Sequence, residues 1–104
     1  MKFRCERDVL VEAFGTAARA VASRSALPVL SGVRMSLSGT QLKLTGSDLD
    51  LTIDVTIEVP AGEDGTVVLP ARLVSDILKA VQPGAVQISV EGEQAHISAG
   101  RSAF

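Results

Sequence analysis

Residues 51–59, LTIDVTIEV, alternate without a fault, with Leu51, Ile53, Val55, Ile57 and Val59 on one side and Thr52, Asp54, Thr56 and Glu58 on the other. Successive side chains of a strand point to opposite faces, so this pattern is a strand with one face against a core and one in water. Strands with a wet face belong to antiparallel sheets, because parallel sheets are covered on both sides. The rest of the chain must cover the apolar face, and 104 residues suffice for a single domain with one core. The same alternation recurs. Val33, Met35 and Leu37 alternate with Arg34 and Ser36, and SGTQ at residues 38–41 turns the chain into Leu42 and Leu44. MKFRCE at the start reads as a first strand; residues 67–69, Val86, Ile88 and Val90, and Ala95, Ile97 and Ala99 give three more, the last two joined through EGEQ.

Two segments break this period and adopt a helical one. Residues 8–22 place Leu10, Phe14, Ala17 and Val21 on one side and Asp8, Glu12 and Arg19 opposite, with Gly15 either at a close approach or tolerated on the outer face. Residues 71–81 follow Pro70, expected in a helical first turn where no N–H is needed, and present Leu73, Val74, Ile77, Leu78 and Val81 as one broad apolar face. Arg72, Ser75, Asp76 and Lys79 take the other face, and QPG at residues 82–84 ends the helix. Arg72 and Lys79 lie two turns apart, nearly in line. The remaining lone glycines are expected to mark turns.

In order, the chain reads strand, helix, three strands, then strand, helix and two strands. The pattern repeats although the residues do not, which divides the chain into halves at about 1–59 and 66–104, separated by PAGEDG. GRSAF at residues 100–104 reads as the onset of the strand the second half lacks, so the domain is expected to be incomplete at its C-terminal end. The expected class is α+β: a duplicated strand–helix–strands unit with two helices on antiparallel sheet.

Composition narrows function mainly by exclusion. Aromatics are 3% of the chain, with no Trp or Tyr, against 46% hydrophobic residues, so the core is aliphatic and a base-stacking surface is not available. A net charge of -2 argues weakly against a nucleic-acid binder, although a sum over all faces can conceal a basic stripe on one. Arg4, Glu6, Arg7 and Asp8 begin too early for a signal peptide and no apolar run reaches membrane-spanning length, so a cytoplasmic protein with no membrane partner is expected. Cys5 reads as a half-buried strand residue. Asp48, Asp50 and Asp54 share a period of two but lack the spacing of a calcium loop. His96 is expected on a solvent-facing strand side with no partner for general-base work. No nucleophile elbow, CxxC pair, phosphate-binding glycine loop or HExxH is present, so no catalytic constellation and no cofactor or metal is expected. A non-catalytic binding or assembly domain is the reading the residues favour, and composition does not choose between DNA and protein as its partner.

MKFRCERDVL, LPVLSGVRMSLSGTQLKLTGSDLDLTIDV, VVLPARLVSDILKAV and VEGEQAHISAGRSAF, in this order and spacing, resemble the first domain of the bacterial DNA polymerase III beta subunit, the replicative sliding clamp. The resemblance runs from Met1 to Phe104. It implies a processivity factor: a head-to-tail homodimeric ring of clamp domains, helices toward the hole and sheets outside, that encloses duplex DNA without reading its sequence. It implies further that the polymerase and the clamp loader are held by regions outside this segment. By the same resemblance Arg24, in the loop SRSALPVLSG, together with Arg19, Arg72 and Lys79, faces DNA. Ile77, Phe104, Ser75 and Arg101 fall at the subunit interface, with Ser75 and Ala103 less apolar or less basic than in many relatives. The alternative is a stand-alone interaction or assembly domain.

Overall fold

The computed structural model describes residues 1–21, 32–48, 51–92, 94–100 and 102–103. The elements are β1 (Lys2–Glu6), α1 (Arg7–Ala18), β2 (Gly32–Ser38), β3 (Gln41–Ser47), β4 (Thr52–Glu58), β5 (Gly65–Pro70), α2 (Ala71–Ala80), β6 (Ala85–Glu91), β7 (Gln94–Ala99) and β8 (Ser102–Ala103). Two antiparallel sheets result, with strand orders β4-β3-β2-β5 and β1-β6-β7-β8. This is the expected α+β class.

The two sheets are built by exchange. Strand β5 leaves its own successors and pairs with β2, Val33 opposite Leu69, while β1 pairs with β6, Cys5 opposite Val86. Each sheet therefore takes three consecutive strands from one stretch of chain and its remaining edge strand from the other. The helices obey the same correspondence. Counted from their first residues, Leu10 of α1 matches Val74 of α2, Phe14 matches Leu78, and all four are buried. They meet the inward-facing strand residues, among them Met35, Leu44 and Ile88, in one hydrophobic cluster. Among the described residues the core is mainly aliphatic, with Phe3, Phe14 and Cys5 as the exceptions.

Several local expectations are corrected. The first helix stops at Ala18, because Arg19, Ala20 and Val21 donate their N–H groups to Thr16, Ala17 and Ala18, three residues back, and the tighter turn ends the α-helix. Val21 still packs against the core. Pro70 is the last residue of β5, opposite Gly32, and stands before α2 rather than in its first turn. Leu51 precedes β4 and is 52% exposed, and Ile53, Val55 and Ile57 are only half-buried, since β4 is an edge strand with one lateral neighbour. Gly39 makes the left-handed turn between β2 and β3, φ 61°, but Gly46 lies inside β3 and marks no turn. A Cβ there would fall on the carbonyl oxygen of Ala17, so the end of α1 rests directly on β3. Gly15 has nothing within 4 Å of a Cβ, which is tolerance rather than close approach.

The connection over residues 60–64 is tied to the sheet. Lys2 and Glu63 exchange both backbone hydrogen bonds, 3.1 and 2.9 Å, and the N–H of Val90 donates to the carbonyl of Met1 at 2.8 Å.

Candidate functional site

The two helices lie side by side, and several of the described candidate residues stand on or just beyond them. Helix α1 exposes Asp8 and Glu12 and is followed by exposed Arg19; α2 exposes Arg72, Asp76 and Lys79. The described residues hold two ion pairs, Arg7–Asp8 and Lys43–Asp54, and Arg19, Arg72 and Lys79 belong to neither. All three are exposed. The surface alternates in sign, however, and is not uniformly basic. Arg24 lies outside the described residues.

Ser75 and Ile77 are half-buried on the flanks of α2. Leu73, which the helical period assigns to the apolar face, is 59% exposed and shares a shallow depression with Pro70, Ala71, Arg72 and Asp76. The helical wheel correctly puts Val74 and Leu78 inward, but it does not fix how far round the helix the core extends. Phe104 and Arg101 lie outside the described residues.

Of the three candidate acids, the described Asp48 and Asp54 are each engaged locally. Asp48 sits in the connection after β3, where its carboxylate accepts the Leu51 N–H at 2.7 Å, the geometry of a turn-stabilising side chain. Asp54 lies on the wet face of β4, accepts the Thr45 hydroxyl at 2.6 Å and stands 3.8 Å from the Lys43 ammonium. Asp50 lies outside the described residues. Among the described residues no three His, Cys, Asp or Glu side chains are grouped to hold a metal ion. His96 is exposed on β7 opposite Ser89. Cys5 is buried in β1, more deeply than a half-buried residue, and its burial pushes the thiol above its ordinary range, which disfavours the reactive thiolate.

One polar residue that local sequence pattern does not single out is Arg7, the first residue of α1. Its Nε and Nη2 donate to the Asp8 carboxylate at 3.0 and 2.8 Å, and its Nη1 donates to the Val81 carbonyl at 3.0 Å and the Lys79 carbonyl at 3.5 Å. Its backbone N–H donates to Gly84 at 2.7 Å. Asp8 is the next residue, but the carbonyl partners lie more than seventy residues away, so no local period can reveal them.

Two helices on two strand-exchanged antiparallel sheets form a domain of the sliding-clamp type. A solved DNA polymerase III subunit beta from Pseudomonas aeruginosa is similar over 100% of this chain and 29% of its own, with TM-score 0.95 and 36% identity. Caulobacter crescentus pol III beta is similar with TM-score 0.93 and 30% identity, over 100% of this chain and 28% of its own. The chain belongs to the DNA polymerase III beta subunit family, whose N-terminal domain it matches over residues 1–104. A beta sliding clamp of Streptomyces coelicolor is 39% identical over 104 residues, all of this chain and 28% of that relative. The chain thus spans well under a third of the length of these relatives. Among the described residues no helix is long and apolar enough to cross a membrane.

Proposed function

We propose that this chain is the first domain of a processivity factor, a non-catalytic subunit that closes head to tail with a second copy around duplex DNA and tethers the replicative polymerase in the cytoplasm. The observation that carries this reading is the match of the whole chain to the beta subunit's N-terminal domain. On this reading the domain consists of halves at about 1–59 and 66–104. The outward face of the helix pair lines the hole, with Arg19, Arg72, Lys79 and loop residue Arg24 toward the duplex. Ile77, Ser75, Arg101 and Phe104 meet the other subunit, and polymerase and clamp loader dock on regions beyond this chain. A sliding ring needs phosphate contacts that position without specifying, and unpaired bases on a helix face alternating with acids provide weak contacts of that kind. Enclosure then supplies the retention that affinity does not.

In the intact protein, Arg24→Ala, Arg72→Ala and Lys79→Ala should each weaken association with duplexes of unrelated sequence alike. Each lost phosphate contact should remove a factor of about 3 from the affinity drop between 50 and 200 mM salt. Loading and retention on nicked circular duplex at the two salt concentrations measure this. Unchanged behaviour in all three variants would overturn the assignment of this face to DNA.

A further inference from the structure

The C-terminal end of α2 is where Lys79 stands, and the last carbonyls of a helix have no partners within it. Here they find one. The Arg7 guanidinium donates to the carbonyls of Lys79 and Val81 with one nitrogen while its other two nitrogens donate to Asp8. The backbone N–H of Arg7 reaches Gly84 on the far side of the same turn, so both the main chain and the side chain of this residue hold the exit of α2. A cation at a helix C-terminus also opposes the negative end of the macrodipole. The side chain is mostly enclosed, 21% exposed, while that of its partner Asp8 is 74% exposed, so the carboxylate orients the guanidinium from the solvent side. The corresponding first residue of α2 is Ala71, whose side chain has no donor to offer.

We propose that Arg7 is a positioning residue: oriented by Asp8, it fixes the last turn of α2 and thereby the place from which Lys79 projects on the helix-pair surface. A lysine at position 7 keeps the charge but lacks the planar fork that spans a carboxylate and a carbonyl together. The Lys79 part of the proposal rests on the DNA-facing reading above; the pin itself does not.

Two measurements on the intact protein separate these parts. Hydrogen exchange follows the Val81 amide, which closes the last turn onto Ile77, against the amide of Met35 in the buried strand as a report of global opening. Arg7→Lys and Arg7→Ala should accelerate exchange at Val81 by roughly tenfold or more with Met35 little changed, and Asp8→Asn by less. Exchange at Val81 unchanged, or rising only in step with Met35, overturns the pin. The second measurement is the double-variant cycle on duplex affinity at 50 and 200 mM salt. Arg7→Lys should reproduce part of the Lys79→Ala loss and add nothing in the Lys79→Ala background. An additive loss overturns the positioning role. Should Lys79→Ala itself be silent while Val81 exchange accelerates, the DNA-facing assignment of Lys79 fails and the pin stands.

Discussion

Two glycines inside regular elements carry opposite demands. At Gly46 a methyl group would collide with the Ala17 carbonyl oxygen and press on Val21, so Gly46→Ala forces α1 off the sheet. Overpacking of this kind costs about 1–3 kcal/mol, and contact with backbone rather than a yielding side-chain tip places it at the upper end. At Gly15 there is open space within 4 Å, and replacing a mid-helix glycine by alanine removes an entropic cost of about 0.5–1 kcal/mol. Denaturant unfolding should therefore show Gly46→Ala destabilised and Gly15→Ala stabilised. The same sign in both would mean that the approach of α1 to β3 is not as tight as described. The sequence does not distinguish the two: both are lone glycines within periodic segments, and only the distance from α1 to β3 separates them.

At the scale of the element, α2 shows how far a hydrophobic period reaches. Val74 and Leu78 are buried, Ile77 is half-buried and Leu73 is largely exposed, although all four belong to the apolar arc of the wheel. Leu78→Ala should cost about 2–5 kcal/mol, because it leaves a cavity in a packed core. Leu73→Ser should change the stability of the single domain by no more than about 0.5 kcal/mol. If α2 meets a second subunit as proposed, that same Leu73→Ser substitution should lower dimer affinity in sedimentation of the intact protein, and a fall in domain stability comparable to that of Leu78→Ala would contradict the exposure described. The strands were more legible than the helices. Alternation in Val33, Met35 and Leu37 and in Leu42 and Leu44 maps directly onto burial because both strands are interior to their sheet. The equally regular 51–59 run yields an exposed Leu51, half-buried Ile53, Val55 and Ile57, and a fully buried residue only at Val59, since sequence alternation reports which side faces inward but not whether the strand lies at an edge. The candidate bases Arg72 and Lys79 were legible as a pair on one helical stripe; the guanidinium that holds their helix was not, as its bonds cross from one half of the chain to the other.

For the whole molecule, the exchanged strands tie the stretches before and after residues 60–64 into one unit. Residues 1–59 contain β1 but not β6, the strand it pairs with, and residues 66–104 contain most of β5 but not β2. Each half alone would leave one three-stranded or smaller sheet short of an edge strand and one strand with nothing to pair with, and a lone helix would keep Phe14 or Leu78 without the opposing part of the core. Losing those long-range contacts removes the burial that offsets chain entropy in a domain of this size. The reciprocal Lys2–Glu63 bonds and the Met1–Val90 bond extend the dependence, because they hold the very start of the chain to its middle and to β6. Fragments ending at Val59 and starting at Gly65 should accordingly show no cooperative thermal transition when separate, and should recover one, with the circular dichroism of the uncut domain, when mixed at equal concentration. Such recovery would follow from the strand exchange, since β1 and β5 would pair across fragments as they do within the chain. A cooperative transition in either fragment alone would show that a half-domain can bury its own core, and the account of two interdependent sheets would then fail.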